Sequence, residues 1–326
     1  MPRLSTPRPI KTKDYLLSNE FFFDRSKLLY AQNLELFDFF WPTATAIWNL
    51  RWQVKGYIDA RGDDLTTEEL FSRFASDEKI MRANLYRACI DTSWNEHLQQ
   101  YAQTILIYLF AYYESWLKSI LKIVDKSTNS IEKGLQFPSD FSTGKGIMPT
   151  LSSIQSSGNN IMENAFYEKY KRARKYKLPH IESMMICYRY FKELRNCIAH
   201  HGGEASNRYI DAQSKYKLLT KGQLSAKEKP RYKEVALGED IYLDLRGVVG
   251  FSDIILKIVK TLDAEFIKCD KSINEFNRKY GMKVGKTQLP VGRENARIKK
   301  HLSNCNFKRP DDVTEIRSYL KSIGLI

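Results

Sequence analysis

The stretch Tyr101-Ala102-Gln103-Thr104-Ile105-Leu106-Ile107-Tyr108-Leu109-Phe110-Ala111-Tyr112-Tyr113-Glu114-Ser115-Trp116-Leu117-Lys118-Ser119-Ile120-Leu121-Lys122-Ile123-Val124 decides the fold class. Extended back to Ser93, it is the longest uninterrupted pattern in the chain. Leu98, Tyr101, Ile105, Tyr108, Leu109, Tyr112, Trp116, Ile120 and Ile123 advance by three and four residues, the period of one helix face. A central bundle helix is expected. The apolar run from Ile105 to Tyr113 stops at Glu114, far short of the roughly 20 residues that a spanning helix needs.

Helical periodicity continues on both sides of this segment. From about Arg25 to Ala60, Leu28, Leu29, Leu34, Leu36, Phe37, Phe40, Ile47, Trp48 and Trp52 predict two packed helices, interrupted at Pro42. Trp41, Trp48 and Trp52, spaced at seven and four, read as a core stripe. Arg61-Gly62-Asp63-Asp64 is a turn, and Thr66-Thr67-Glu68-Glu69 offers a capping box. A further helix is expected over about Asp77–Asp91. On the other side, Asp125 to Gly158 turns polar and Gly/Ser-rich, which marks a loop insertion. Helices follow over about Asn160–Tyr176 and His180–His201, the second stopped by Gly202-Gly203. Lys221 to Gly238 is polar and basic and is expected to be mobile. Ile241-Tyr242-Leu243-Asp244-Leu245 alternates like a short strand, and one long helix is expected from about Gly247 to Tyr280. Two short helices close the chain, about Arg293–Asn304 and Asp311–Ile323. The expected class is mostly α. It divides into an N-terminal helical region (1–92), a helical bundle with loop insertions at 125–158 and 202–245 (93–280), and a basic C-terminal tail (281–326).

Over 326 residues, 52 Lys and Arg against 38 Asp and Glu give a net charge of +14. An excess of that size favours a polyanionic partner. A hydrophobic share of 43% and a charged share of 28% exclude wholesale disorder. Met1 to Arg8 carries charge with no apolar stretch behind it, so a secretory signal is not expected. The five cysteines are scattered with no C-x-x-C pair, as in a reducing cytoplasm. Five histidines without H-x-x-x-H or H-E-x-x-H spacing argue against a metal centre. Neither metal nor cofactor is expected.

One cluster carries chemistry: Glu193-Leu194-Arg195-Asn196-Cys197-Ile198-Ala199-His200-His201-Gly202-Gly203. It occupies the last turns of a helix with the apolar face Met184, Met185, Tyr188, Phe191, Leu194 and Ile198. Asn196 and His200 share a face. Arg195 and His200 lie about 140° apart around the axis and roughly 7.5 Å apart along it. A phosphodiester lying across the helix end is within reach of both. A histidine can take the ribose 2′-hydroxyl proton or protonate the leaving 5′-oxygen, an arginine can clamp the phosphate, and an asparagine can orient either group. The bland alternative is an arginine salt bridge beside a capping histidine. Arg174 and His180 fit a similar spacing, but they straddle Leu178-Pro179 and cannot share a regular helix.

Arg-Asn-x-x-x-His at the end of a bundle helix resembles the signature of the HEPN superfamily (higher eukaryotes and prokaryotes nucleotide-binding domain). Many members are metal-independent endoribonucleases of toxin–antitoxin, abortive-infection and CRISPR systems. The resemblance spans about Ser93 to Tyr280. The helix containing Phe110-Ala111-Tyr112-Tyr113-Glu114-Ser115-Trp116-Leu117 is similar to the family's first core helix, which often carries an acidic residue. The likeness implies an active trio of Arg195, Asn196 and His200, with Glu114 orienting Arg195. It implies a homodimer with a composite site where two motif helices meet, a cytoplasmic setting in phage defence or growth arrest, and an antitoxin or defence partner. Toxin members paired with a nucleotidyltransferase have a tyrosine two residues after the histidine. Gly202 stands there, so modification of that tyrosine is not implied. His201 is either a second catalytic group or part of the cap, and the cap is favoured. The alternative is a non-catalytic HEPN-like module that binds RNA, nucleotide or a partner protein.

Tyr167 to Lys177 packs six basic residues and three tyrosines into eleven positions. Lys169, Tyr170, Lys171, Arg172, Arg174 and Lys175 are therefore candidate RNA contacts, the cations for phosphates and the tyrosine for bases. The competing reading is a solvated helix face with its tyrosines in the core. A more diffuse basic set follows in the tail, from Lys286 to Arg309.

Overall fold

The computed structural model describes residues 19–62, 65–74, 84–155 and 160–326. The Asp63-Asp64 turn and the first part of the helix expected over Asp77–Asp91 lie outside the described residues. The helices are α1 (Asp24–Arg61), α2 (Thr67–Phe74), α3 (Trp94–Ile123), α4 (Asn129–Gly134), α5 (Ile147–Ile154), α6 (Glu168–Lys171), α7 (Ile181–His200), α8 (Asn207–Lys217), α9 (Leu245–Glu265), α10 (Ile273–Lys283), α11 (Glu294–Asn304) and α12 (Thr314–Ser322). The fold is mostly α. Among the described residues no strand forms, only the isolated bridges Asp140–Lys145 and Glu204–Asp240.

Local chemistry explains where the elements start. The Ser93 hydroxyl accepts from the Glu96 N–H at 3.2 Å, while the Glu96 carboxylate accepts from the Ser93 N–H at 2.6 Å. This reciprocal cap opens α3. Thr66 and Glu69 form the same box ahead of α2. α3 then buries Ile105, Leu109, Tyr113, Trp116 and Ile120 against α1, α7 and α9. At the centre Phe110 of α3, Tyr188 and Phe191 of α7 and Phe251 of α9 interlock. The Phe191 and Phe251 rings stack at 4.3 Å.

Several sequence expectations are corrected. α1 is one helix, with Pro42 inside it. Pro42 removes the N–H that would meet the Asp38 carbonyl, but Asp38 is on an exposed turn where water can serve it. The Thr43 and Thr45 hydroxyls donate to the Phe39 and Trp41 carbonyls at 2.7 and 2.9 Å, supporting the same turns. The tryptophan stripe is not core: Trp41, Trp48 and Trp52 are 45%, 39% and 59% exposed. The helix expected to reach Tyr176 ends at Lys171. The stretch from Ile241 to Leu245 is not a strand. The helix expected over Gly247–Tyr280 breaks after Glu265 into two 3-10 turns before α10. The Lys221–Gly238 segment is anchored, with Leu224 and Val235 buried and the Tyr216 hydroxyl donating to the Pro230 carbonyl at 2.7 Å.

The apolar core also runs across positions 92/93 and 280/281. Phe22 from the N-terminal side and Phe307 from the tail pack at 5.2 Å, and both meet Phe166. A separate small cluster of Val54, Leu70, Leu85 and Cys89 secures the far end of α1.

The seam between α9 and the N-terminal segment carries buried charge. The Asp263 carboxylate accepts from the Phe22 and Phe23 N–H groups at 2.8 and 3.1 Å. One turn earlier, Lys260 Nζ is buried with no hydrogen-bond acceptor, 4.4 Å from the centre of the Phe21 ring. Burial lowers its pKa from 10.5 to about 8, with Asp263 and Glu20 opposing the drop and Lys308 and Lys27 adding to it. Between about pH 8 and 10.5 the unfolded chain therefore binds more protons at this residue than the folded chain does. Stability should rise with pH through that window, and the full cost of the charge is present below it. Lys260→Met is expected to stabilise the protein at pH 7 by less than the roughly 3 kcal/mol that the shift corresponds to, because Asp263 loses its neighbouring cation. It should also flatten the rise between pH 8 and 10, as read by urea unfolding across that range. Part of the rise should remain, because burial lowers Lys279 in the same direction.

Candidate active site

The motif helix is pinned at its end before any functional group is considered. The His201 and Gly203 N–H groups both donate to the Cys197 carbonyl, at 2.9 and 3.1 Å. Gly202 and Gly203 adopt φ of +64° and +96°, which explains the paired glycines. Beyond them the Ile241 N–H donates to the Gly203 carbonyl and the Ala205 N–H to the Glu239 carbonyl. The end of α7 is thus tied to the segment that leads into α9.

α7 points its motif residues in different directions. Arg195 turns toward α3, where Glu114 Oε1 accepts from Arg195 Nη2 at 3.2 Å and pairs with Lys192 Nζ at 3.1 Å. The Arg195 guanidinium lies 5.4 Å from the Phe110 ring centre, and its Nε is buried without a partner. The arginine is largely covered, with a side-chain exposure of 20%. Lys192 also donates to Gln136 and sits 5.7 Å from the Tyr188 ring centre. Burial lowers its pKa, while Glu114 opposes the drop. The pairing of Glu114 with Arg195, implied by the family likeness, is present as a contact.

Asn196 turns the other way and donates to Glu193 Oε2 at 3.1 Å. Glu193, nearly buried, also pairs with Arg189, whose pKa is lowered by burial against the pull of Glu193. Beside them a cleft of about 590 Å³ opens between α7 and α8, lined by Arg189, Glu193, Asn207, Arg208 and Phe137. His200 ends the helix and His201 caps it, both exposed. The other three histidines have structural partners: His97 with the Ala88 carbonyl, His180 with the Gln223 carbonyl, and His301 with the Tyr280 hydroxyl. Among the described residues, the side chains of His200 and His201 have none.

The structure therefore joins Arg195 to Glu114 and Asn196 to Glu193, and leaves His200 free at the open end of the same helix. Sequence reasoning gave no role to Lys192, Glu193 or Arg189. Their spacing was the available signal, because Arg189, Glu193 and Asn196 are separated by four and three residues and share a face. Gln136 comes from a loop and carried no signal. Among the described residues no group of three His, Cys, Asp or Glu is placed to hold a metal ion, and no helix is long and apolar enough to cross a membrane.

No family model, curated protein or solved structure compared with the chain matches it.

The candidate RNA segment is divided by the fold. Tyr170 is fully buried and its hydroxyl accepts from the Lys308 N–H at 3.1 Å, so its ring has no face for a base. That expectation is corrected: Tyr170 fills the core where the tail meets α6. The Tyr167 and Tyr176 hydroxyls both donate to buried Glu265, at 2.8 and 2.6 Å. Lys169 pairs with Asp311, Lys171 with Glu168, and Lys175 with Asp253. Arg172 and Arg174 are exposed and make no hydrogen bond or ion pair among the described residues.

Glu114 is the counter-charge for two half-buried cations, and its removal should be felt in stability. Glu114→Gln is expected to cost about 1–3 kcal/mol in urea unfolding. Adding Lys192→Met should recover part of that loss, because one of the two uncompensated charges is gone. Additive losses in the double variant would show that the three side chains do not act as a unit.

Proposed function

We propose that the chain is a metal-independent endoribonuclease of the HEPN type, working as a homodimer. One observation carries the reading. Arg-Asn-x-x-x-His sits at a glycine-capped helix end, with its arginine oriented by a carboxylate from the central helix and its terminal histidine exposed and unpartnered. In this scheme the 2′-hydroxyl loses its proton to an imidazole and the 2′-oxygen attacks phosphorus. The bond to the 5′-oxygen breaks, and that oxygen takes a proton. The products are a 2′,3′-cyclic phosphate and a 5′-hydroxyl. Arg195 stabilises the charge on the phosphate, Asn196 orients the nucleotide, and Glu114 positions Arg195. A pair of chains with their α7 ends together supplies two imidazoles, one for each proton transfer. Cytoplasmic action in phage defence or growth arrest, with an antitoxin or other defence partner, follows from the family likeness.

The cover over Arg195 favours a second reading, a non-catalytic HEPN-like module that binds RNA, nucleotide or protein. An arginine engaged with Glu114 must exchange that partner for a phosphate before it can act.

The histidine separates the two. His200→Ala should lower RNA cleavage at least 10²-fold, the usual scale of a lost acid–base group. The melting temperature should stay unchanged, because the side chain is exposed and makes no hydrogen bond or ion pair. Cleavage by the unmodified chain should persist in excess EDTA and leave cyclic phosphate ends. An intact rate in His200→Ala, or 3′-hydroxyl products, would contradict the scheme. RNA binding without any cleavage would select the second reading.

A further inference from the structure

A basic cleft of about 560 Å³ lies away from the motif residues, lined by one face of α9 and by the segments 174–177 and 225–231. Eight of its lining side chains are cations and two are carboxylates. Three of the cations are used internally. Asp253 pairs with Lys175 and Lys257, each at 2.7 Å. Lys229 donates to the Tyr216 and Lys217 carbonyls and lies 4.5 Å from the Tyr216 ring centre. The remaining five are Arg174, Lys177, Lys227, Arg231 and Arg246. Among the described residues, their side chains make no hydrogen bond or ion pair. Four of them are exposed and Lys177 is half-buried. These five cations face a single carboxylate that is likewise unpaired among the described residues, Glu228, so the concavity keeps a strong positive excess that an anion relieves.

The cleft is also built to hold its shape. A Cβ at Gly247 would lie 2.1 Å from the Arg231 carbonyl oxygen, and one at Gly250 would lie 3.3 Å from Pro230 Cα. These glycines let the 230–231 backbone rest directly on α9, which brings Arg231 against the helix that carries Arg246. Lys257 ties the start of the segment by donating to the Ser225 carbonyl at 2.9 Å. From Arg246 to Lys257 the α9 face extends about 16 Å, longer than a single phosphate needs. Among the described residues no aromatic side chain lines the cleft, so it offers charge without a stacking platform for bases. Its Arg246 end is also the end nearest the motif, since the segment before α9 is bonded to Gly203 and Ala205.

We infer that this cleft binds the phosphodiester backbone of single-stranded RNA without regard to base sequence. A strand lying in it would run toward the end of α7 that carries His200. The binding itself does not require the ribonuclease reading; only the direction of the strand rests on it.

The test uses the full chain carrying His200→Ala, a fluorescein-labelled 20-residue oligouridylate, and a titration of affinity against salt. Arg231→Glu with Arg246→Glu should weaken binding at least tenfold at low salt. The log–log salt slope should fall in magnitude by about 0.7 for each phosphate that the variant no longer neutralises. Lys55→Glu with Arg87→Glu applies the same change of net charge at exposed positions outside the cleft, and should leave affinity and slope nearly unchanged. Arg174→Glu with Lys227→Glu repeats the test from other lining segments if the first pair fails to fold. An equal loss in the Lys55/Arg87 control, or an unaltered slope in both cleft pairs, would overturn the proposal. So would binding of inorganic triphosphate in the cleft with no binding of the oligouridylate. With His200 restored, the cleft variants should raise KM at low salt and leave kcat unchanged. If the unmodified chain cleaves no RNA but the cleft variants still lose binding, the ribonuclease reading fails and the cleft assignment stands.

Discussion

The buried carboxylate of Asp263 is the constraint on which much of the architecture depends. It sits in α9 and accepts both N–H groups of Phe22 and Phe23, residues some 240 positions earlier in the chain. A carboxylate in that environment is tolerable only because backbone donors meet it and Lys260 lies nearby. Capturing Phe22 in turn organises the aromatic group of Phe166, Phe276 and Phe307, so the turn before α6, α10 and the tail close on the same point. The opposite half of α9 is fixed by Phe251 stacking on Phe191 of the motif helix. One helix, held at both ends by different chemistry, thereby sets where the end of α7 stands relative to the rest of the bundle.

What was legible in the sequence is what local physics controls. The Ser93 cap, the three-and-four spacing through α3 and the Gly202-Gly203 stop are decided within a few residues, and the structure has them in place. The misreadings fall where distant partners decide. The chain leaves helical geometry after Glu265 because Asn160, more than a hundred positions away, donates to the Ile267 and Cys269 carbonyls at 3.1 and 2.9 Å. No periodicity reveals a donor supplied by another segment. Pro42 reads as a break because it removes one helical hydrogen bond, whereas here the turn faces solvent and water can serve the freed carbonyl. Trp48 of α1 meets Trp94 of α3 at 4.9 Å, yet all three α1 tryptophans stay exposed, and spacing alone does not distinguish a covered stripe from an exposed one. At the site, the Arg195-to-His200 pattern was readable, while the sharing of Glu114 between Arg195 and Lys192 depended on how α3 and α7 are juxtaposed.

The basic segment after residue 166 teaches a related point about charge. Read in one dimension, six cations and three tyrosines form a single strip. The fold sends the tyrosines to Glu265 and the core, neutralises Lys169, Lys171 and Lys175 locally, and leaves Arg172 and Arg174 outside. The uncompensated charge instead gathers where two separate segments meet α9. A dense run of cations measures how much charge must be balanced, and the packing decides where it stays unbalanced.

The same accounting applies to the motif helix. Glu114 brings one negative charge to two half-buried cations, so the group formed with Lys192 and Arg195 keeps an excess of one positive charge. Desolvation makes that excess costly, as the lowered pKa of Lys192 records. Arg195 Nε adds to that cost, because it is buried without an acceptor. Glu114 therefore fixes the guanidinium without neutralising the group as a whole. His200, one residue from the cap, stands exposed and free of hydrogen-bond partners among the described residues.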